Sequence, residues 1–212
     1  MSPQYCILCS YPNPDLFHQD RFRSYYICTC CGLIFVPVSD HLSLEKEKAR
    51  YDMHQNKLDN EGYRKFLSRI LPPLLPRINN SDKGLDYGSG PVPVLSQILT
   101  GIGYDTAHYD PFYRPDPSLL ERQYDFVTCT EVVEHFRDPK AEWQSLIKLV
   151  KKEGWLAVMT QLTDEEMNFG TWHYKDDATH ICFYADRTFN WIPRANPRPA
   201  EIHGNSIVLL QC

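Results

Sequence analysis

Four cysteines near the start of the chain have the spacing of metal ligands. They form two Cys-x2-Cys pairs on either side of residues 10–27, and the four are Cys6, Cys9, Cys28 and Cys31. Each pair can present two thiolates from one tight turn, and two turns complete the tetrahedral sulfur set that structural Zn²⁺ prefers. The spacing therefore predicts a zinc ribbon with these four residues as ligands.

The cysteines fit other uses less well. Disulfide frameworks are typical of small secreted chains, whereas this chain has 212 residues and starts without a basic segment followed by an apolar one. A redox Cys-x2-Cys pair does not need a second pair beside it. His18 could replace one ligand, Cys30 is a spare, and Cys129, Cys182 and Cys212 are predicted to be packing residues.

A second group of residues that could bind a ligand lies in the glycine-rich turn at 85–91, which has the sequence LDYGSGP. Glycine lets a backbone approach a ligand closely, because it has no Cβ. Asp86, just before the glycines, would repel a phosphate and attract the ammonium group of an amino-acid ligand. The dinucleotide pattern G-x-G-x-x-G fails, since Pro93 occupies its third glycine position. The alternative interpretation is a tight turn without a ligand.

Asp110 follows Gly90 by twenty residues and ends the next strand-like segment. In parallel α/β sheets a carboxylate at this place binds the hydroxyl pair of a ribose. Alone, an Asp before Pro111 fits a turn-forming residue better. The spacing from the glycine turn favours the ribose interpretation.

The elements that must position these residues are alternating strands and helices. From residue 83 on, short apolar runs alternate with segments of helical periodicity. The predicted strands are 84–88, 104–110, 124–130, 155–161 and a run within 203–212, and the predicted helices cover 63–71, 93–101 and 139–150. Such alternation implies right-handed crossovers and a mainly parallel α/β sheet with helices on both faces.

Specific residues predict where these helices begin and end. The two prolines at 72–73 are expected to end the first helix. Gly101 is expected to stop the second helix. Asp138 can cap the third helix with Pro139 at its first position, and Gly154 is expected to end it.

Four segments together, DYGSG, YDPF, YDFVTCTEVVEHFRDP and GWLAVMT, resemble the motif series of class I S-adenosylmethionine-dependent methyltransferases. The resemblance covers about residues 60–212, and EVVEH is its most specific part. It implies a Rossmann-like sheet and S-adenosylmethionine as the cofactor. The residues matching Asp86, Gly88 and Gly90 would line the methionine moiety, and the one matching Asp110 would hold the ribose.

The resemblance also implies the rest of the cofactor site. The stretch 129–132 would lie under the cofactor, with His135 at the rim facing the substrate. The full set of implied cofactor-binding residues is Asp86, Tyr87, Gly88, Ser89, Gly90, Asp110, Pro111, Phe112, Cys129, Thr130, Glu131, Val132 and His135.

The chain departs from the family pattern at two places. Val92 stands where the family often has a third glycine, which makes the turn stiffer. Only residues 111–123 separate the second strand from the next one, so the usual third strand and its adenine-contacting acid are shortened or absent. Asp116 is a weak candidate for that contact.

Residues on the substrate side are predicted from two further segments. Similar methyltransferases fold the segment before the first helix over the cofactor as a lid, which would bring Tyr51 and His54 to the cofactor or the substrate. His135, His173 and His180 are candidates for acceptor binding or general-base catalysis, because histidine titrates near neutral pH. The alternatives are a solvated helix entrance and histidines that anchor loops.

The predicted organisation has three parts. Residues 1–40 form the zinc-ribbon module, 41–80 a helical lid and connector, and 81–212 the S-adenosylmethionine-binding methyltransferase domain. Hydrophobic residues make up 42% and charged residues 23% of the chain, as in ordinary globular proteins. With no signal peptide or apolar span recognised, we expect a cytoplasmic protein.

The leading hypothesis is therefore an S-adenosylmethionine-dependent methyltransferase with structural zinc, acting on a small molecule or a protein side chain. A ribosomal RNA acceptor ranks second, since the net charge is −5 and no basic face is evident. A non-catalytic zinc-containing binding module is third. A nicotinamide oxidoreductase is the weakest alternative, because the phosphate-binding glycine pattern is broken.

Overall fold

The computed structural model describes residues 3–53, 60–164, 166–192, 194 and 198–212, so the predicted lid residue His54 lies outside the described residues. Within these ranges the strands are β1 (Asp15–Gln19), β2 (Ser24–Ile27), β3 (Ile34–Phe35), β4 (Lys83–Tyr87), β5 (Asp105–Tyr109), β6 (Tyr124–Thr130), β7 (Val150–Met159), β8 (Cys182–Phe183), β9 (Glu201–His203) and β10 (Ile207–Gln211). The α-helices are α1 (Leu44–Tyr51), α2 (Glu61–Ser68), α3 (Leu71–Leu74), α4 (Val94–Gly101), α5 (Pro139–Lys148) and α6 (Asp186–Trp191).

The larger sheet has the strand order β5-β4-β6-β7-β10-β9. Strand β4 runs parallel to β5 and β6, and β6 runs parallel to β7, whereas β10 is antiparallel to both β7 and β9. The predicted parallel-dominated sheet is confirmed. Because β4, β5 and β6 are parallel neighbours, the glycine turn, Asp110 and the EVVEH segment all follow strand ends at one edge of the sheet.

Helices cover both faces of this sheet, as the alternating side chains of its strands require. On one face Phe126 packs in a core with Leu67 of α2 and Leu95 of α4. On the other face Val127 packs in a second core with Trp143 of α5. The predicted placement of helices on both faces is confirmed.

One of two predicted helix ends is confirmed, because α4 ends at Gly101, and the left-handed residue that follows is Gly103, with φ +100°. The other is wrong. In the first helical region, α2 ends at Ser68, and the prolines at 72–73 lie in the short helix α3, with Pro72 in its first turn. Proline is compatible with that turn, because the first N–H groups of a helix have no partner inside it.

The prediction for Gly154 is also wrong. Helix α5 begins as expected, since the Asp138 side chain accepts a hydrogen bond from the Ala141 N–H at 3.1 Å, but it ends at Lys148. Gly154 lies inside β7, where an added Cβ would approach the Asp125 carbonyl oxygen to 2.6 Å. Here glycine permits close contact between two strands rather than the end of a helix.

The four-stranded sheet of the N-terminal region includes a strand from the last third of the chain. Strands β1, β2 and β3 form an antiparallel ribbon. Strand β3 then pairs antiparallel with β8, so that Ile34 lies opposite Phe183 and Phe35 opposite Cys182. The N-terminal ribbon is therefore hydrogen-bonded to strand β8, which follows His180 in the chain.

A buried guanidinium makes a second connection between the ribbon and this segment. Arg23, just before β2, is only 9% exposed. It donates hydrogen bonds to the carbonyl oxygens of Lys175, Asp177 (3.2 Å), Ala178 (3.2 Å) and His180 (3.0 Å), and to the hydroxyl of Tyr25 (3.2 Å). One side chain of the ribbon thus holds the backbone of residues 175–180.

Candidate active site

The turn after β4 is formed by two glycines in the left-handed region, Gly88 with φ +77° and Gly90 with φ +67°. An added Cβ at Gly88 would lie 2.3 Å from a methyl carbon of Val132, so glycine is required there for packing. An added Cβ at Gly90 would meet no described atom within 4 Å. The backbone at Gly90 therefore faces open space, as a turn that approaches a ligand must.

Asp110, at the end of β5, organises this turn. One oxygen of its carboxylate accepts a hydrogen bond from the Gly90 N–H at 2.8 Å, and the other accepts from the N–H groups of Phe112 (2.9 Å) and Tyr113 (3.0 Å). An ionised carboxylate has about four acceptor sites. It can therefore hold the turn and still accept hydrogen bonds from a ligand hydroxyl.

Asp86 is held in a more apolar environment. The residue is 2% exposed, and its carboxylate accepts hydrogen bonds from the Thr128 hydroxyl (2.9 Å) and the Ser96 N–H (3.2 Å). Burial raises the pKa of this carboxyl to about 6, against the lowering effect of these two hydrogen bonds. A cationic ligand in the adjacent cavity would therefore stabilise the ionised form of Asp86.

These residues surround one cavity of about 750 Å³ at the carboxyl edge of the sheet. The structure brings together almost all the described site residues predicted from the sequence. Those that line the cavity are Tyr51, Asp86, Tyr87, Gly88, Ser89, Gly90, Asp110, Pro111, Phe112, Thr130, Glu131, Val132, His135, His173 and His180. Cys129 instead is fully buried in the core on one face of the sheet.

The region that would carry an adenine contact follows β5. Residues 111–123 lead to β6 through a 3-10 helix at Pro117–Leu119. Asp116 is exposed and caps this helix, accepting a hydrogen bond from the Ser118 N–H at 3.0 Å. The structure therefore gives Asp116 a capping role and places it outside the lining of the cavity.

Several lining residues were not predicted as site residues. Tyr63, Phe66 and Leu67 of α2 form an aromatic and apolar part of the wall, although the sequence indicates them only as one face of a helix. Tyr174 also lines the cavity. Its neighbour Glu134 lies within the EVVEH segment, which is the only sequence signal that points to it.

The EVVEH segment forms a tight acidic turn at the end of β6. Glu131 has a left-handed φ of 54°, which is uncommon for a residue with a Cβ. Burial and the neighbouring charge of Glu134 raise the pKa of Glu131 to about 9. The Tyr174 hydroxyl donates to Glu134 at 2.5 Å and lies 3.5 Å from Glu131, so it joins the two acids.

Three residues of helix α1, Leu44, Glu47 and Tyr51, line the cavity. Tyr51 packs edge-on against the His135 ring, with ring centres 5.3 Å apart, and its hydroxyl donates to Glu47 at 2.9 Å. Glu47 in turn pairs with Arg137 at 2.8 Å, just after the EVVEH segment. The helix is thereby attached to the turn that carries His135.

The four predicted zinc ligands lie together at the base of the ribbon. Their sulfur atoms are all within 4.8 Å of one another, with Cys6 and Cys31 3.7 Å apart and Cys9 and Cys28 3.4 Å apart. The edges of a tetrahedral sulfur set around Zn²⁺ are about 3.8 Å long, given Zn–S distances near 2.3 Å. His18, the alternative ligand, packs instead against Tyr25 and Phe169.

The sheet order and the cavity beyond its carboxyl edge define a Rossmann-like α/β protein. The chain belongs to the methyltransferase domain family, whose sequence model matches residues 60–196, more than half of the chain. The crystal structure of human N-acetylserotonin methyltransferase in complex with S-adenosylmethionine matches with a TM-score of 0.51 and 11% identity. That match covers 78% of this chain and 56% of the other, and it supports the fold alone.

Curated relatives share a shorter region. The ubiquinone biosynthesis O-methyltransferase of Proteus mirabilis (strain HI4320) is 31% identical over 85 residues. The protein of the same name from Erwinia tasmaniensis is 33% identical over 87 residues. Each match covers 40% of this chain and 35% of the relative, so the chain matches about a third of the length of these relatives.

None of the helices formed by the described residues is long and apolar enough to cross a membrane.

Proposed function

We propose that this chain is an S-adenosylmethionine-dependent methyltransferase that acts on a small molecule or a protein side chain. The observation that carries the proposal is the junction of Asp110 with Gly90, where a carboxylate from β5 holds a glycine turn against a cavity. The ubiquinone biosynthesis O-methyltransferases named above support a small-molecule acceptor, because that name describes such a substrate.

The residues present fit the cofactor. The open space at Gly90 leaves room for a ligand against the turn. Asp86 offers a buried carboxylate for the cationic amino-acid end, and Asp110 retains acceptor capacity for a ribose hydroxyl. The side chains of Phe66 and Leu95 form an apolar part of the cavity wall.

The cofactor, when bound, supplies a methyl group on a positively charged sulfur. The chain's own residues bind it, orient the acceptor in line and exclude water. Tyr51 and α1 would cover the cavity, and His135 and His180 would face the acceptor. The positive charge on the cofactor sulfur is lost during methyl transfer. The enzyme is therefore expected to accelerate the reaction mainly by positioning the acceptor against the methyl group.

Titration of the chain with S-adenosylhomocysteine and S-adenosylmethionine by calorimetry tests the proposal, with NADH as the control ligand. Micromolar binding of the two adenosyl compounds and no binding of NADH are expected. Absence of adenosyl binding in a folded, zinc-loaded sample would contradict the proposal and favour a non-catalytic binding module.

The affinity for S-adenosylhomocysteine is expected to rise about tenfold between pH 5 and pH 7 and then level off. Asp86 has a raised pKa of about 6 in the free protein, and the ligand's ammonium group favours the ionised form. Binding below pH 6 must therefore displace a proton, whereas binding at pH 7 does not. Calorimetry across this range checks the effect, and an equally steep rise in the Asp86→Asn variant would contradict its assignment to Asp86.

We also propose that Cys6, Cys9, Cys28 and Cys31 hold one structural Zn²⁺. The sulfur distances support it, since the four sulfur atoms lie within 4.8 Å of one another. Four thiolates complete the coordination of zinc and leave no position for a substrate. The metal would then stabilise the N-terminal ribbon, the module that the sequence assigns to residues 1–40.

The Cys28→Ser variant is expected to lose about one zinc per chain and to unfold at a lower temperature, because structural zinc contributes folding free energy directly. Elemental analysis and thermal unfolding measure the two effects. Cys30→Ser is the matched control, since Cys30 is exposed and lies outside the cluster. Equal zinc content in the two variants would contradict the ligand assignment.

A further inference from the structure

The segment 174–180 forms the part of the cavity wall that carries His180, and its carbonyl groups face two different partners. The carbonyl oxygen of Tyr174 faces the His180 ring, whose Nδ1 lies 2.7 Å away. Four later carbonyl oxygens face the ribbon and accept hydrogen bonds from the Arg23 guanidinium, and they belong to Lys175, Asp177, Ala178 and His180. The backbone that orients this imidazole is therefore the backbone that Arg23 holds.

The Arg23 side chain uses its full donor capacity at this place. A guanidinium has five N–H groups in a planar fork. The two terminal nitrogens make two hydrogen bonds each to the segment, and Nε donates to the Tyr25 hydroxyl at 3.2 Å. That hydroxyl in turn donates to the Asp20 carboxylate at 3.1 Å. The orientation of the guanidinium is thus fixed within the ribbon before it reaches the cavity wall.

The ribbon also fixes the residue that follows His180. The N–H of Val36 donates to the carbonyl oxygen of Ile181, and the N–H of Ile181 donates to the carbonyl oxygen of Glu134, both at 2.9 Å. Strand β8 then continues the chain and pairs with β3. The backbone of His180 is therefore attached on both sides, through Arg23 before it and through Ile181 after it.

This arrangement determines the tautomer of His180. A carbonyl oxygen only accepts, so Nδ1 carries a proton and donates it to Tyr174. Burial lowers the pKa of His180, against the raising effect of the Glu134 charge, so the ring is neutral at pH 7. In a neutral ring with a proton on Nδ1, the lone pair is on Nε2.

The Nε2 atom is the one that a ligand in the cavity can reach. The ring lines the cavity, and within the described part of the chain the hydrogen bond of this imidazole is made by Nδ1. The rings of Tyr174 and His135 pack against it, with ring centres 4.2 Å and 4.8 Å away. Free histidine favours the opposite tautomer, which would present an N–H to the cavity instead of a lone pair.

We propose that Arg23 is a positioning residue of the active site, which keeps His180 in the tautomer whose Nε2 accepts a hydrogen bond from the methyl acceptor. This inference rests on the proposed function and narrows its substrate class to acceptors that carry a hydrogen-bond donor. It also gives the ribbon a role beyond its own folding, because the guanidinium belongs to the ribbon and the imidazole to the methyltransferase domain.

The test is nuclear magnetic resonance of the zinc-loaded full chain with ¹⁵N-labelled histidine, recorded at about pH 8, where an imidazole of lowered pKa is neutral. Long-range proton–nitrogen correlations show which ring nitrogen carries the proton, and the His180 signals are assigned through the backbone. The wild type is expected to have the proton on Nδ1 of His180. In Arg23→Ala the ratio of this tautomer to the other should fall at least about tenfold, because the Tyr174 carbonyl oxygen is no longer held in place.

Three further variants separate positioning from stability. Arg21→Ala removes an exposed arginine of the same turn, and it should keep the wild-type tautomer. Leu74→Ala removes a fully buried side chain from the core on the other face of the large sheet, so it should lower the unfolding temperature and still keep the tautomer. Arg23→Lys retains the charge without the planar fork, and it should lose the tautomer as Arg23→Ala does.

Three results would overturn the proposal: a proton on Nε2 of His180 in the wild type, an unchanged tautomer ratio in folded Arg23→Ala, or an equal change in Leu74→Ala. The first needs no variant, so the test survives a variant that fails to fold. Binding of S-adenosylhomocysteine is measured on the same samples. Its absence together with an Arg23-dependent tautomer would contradict the proposed function alone, and normal binding with an Arg23-independent tautomer would contradict the positioning role alone.

Discussion

The Asp110→Ala variant is expected to bind S-adenosylhomocysteine at least about a hundredfold more weakly than the wild type. The Asp110 carboxylate would accept a hydrogen bond from a ribose hydroxyl, and it already accepts from the Gly90, Phe112 and Tyr113 N–H groups. Hydrogen bonds to a charged group contribute about 1.5–3 kcal/mol each. Losing the ribose contacts and the order of the turn together gives about 3 kcal/mol, or roughly a hundredfold in affinity.

Calorimetry measures this loss, and two further variants make it specific. Asp105→Asn is the matched control, because Asp105 begins the same strand, its side chain is 75% exposed, and it lies far from the glycine turn along β5. Asp110→Asn keeps the shape and one acceptor oxygen, and an intermediate affinity is expected. Wild-type affinity in a folded Asp110→Ala protein would show that the ligand does not lie against this carboxylate.

The large sheet could be predicted from the sequence because its signals are local. Strand β6, YDFVTCT, has apolar and β-branched residues on both faces, as a strand buried between two helical layers requires. The Asp138–Pro139 pair specifies the start of α5 without help from distant residues. The glycine turn and Asp110 follow parallel strands, so their meeting at one edge follows from the strand order.

Glycine predicted one helix end correctly and one wrongly, and the structure shows why. Gly101 is the last residue of α4, whereas Gly154 lies in β7, where the close approach of the Asp125 carbonyl oxygen in the neighbouring strand requires glycine. A single sequence cannot distinguish a glycine that ends a helix from one that permits a close approach between strands. That distinction depends on the register between β6 and β7, which shifts at this end of the pair.

The grouping of Glu134 with His180 could not be predicted for a related reason. The two residues are far apart in the chain, and they meet because β8 pairs with the ribbon strand β3 and the Ile181 N–H donates to the Glu134 carbonyl oxygen at 2.9 Å. Sequence patterns suggested His135 and His180 separately as substrate-side residues. They gave no sign that the ribbon helps to place one of them.

The Arg23→Ala variant is expected to lose about 3 kcal/mol of unfolding free energy and to release the segment 175–180. The guanidinium is buried and satisfies four carbonyl oxygens of that segment, which would be left without this donor. Removing one partner of buried charged hydrogen bonds is among the most destabilising substitutions. For a chain of this size the loss corresponds to a fall of about 6–12 °C in the unfolding temperature.

Thermal unfolding and amide hydrogen exchange test the Arg23 prediction, with faster exchange expected in residues 175–180. Arg21→Ala is the matched control, because Arg21 is an exposed arginine of the same turn that lies over the exposed ring of Phe22. Arg23→Lys should recover little, since lysine lacks the planar fork that reaches several carbonyls at once. If Arg23→Ala and Arg21→Ala unfolded at the same temperature, the Arg23 guanidinium would not stabilise the segment 175–180. The β3–β8 pairing would then be the main link between the ribbon and this part of the cavity wall.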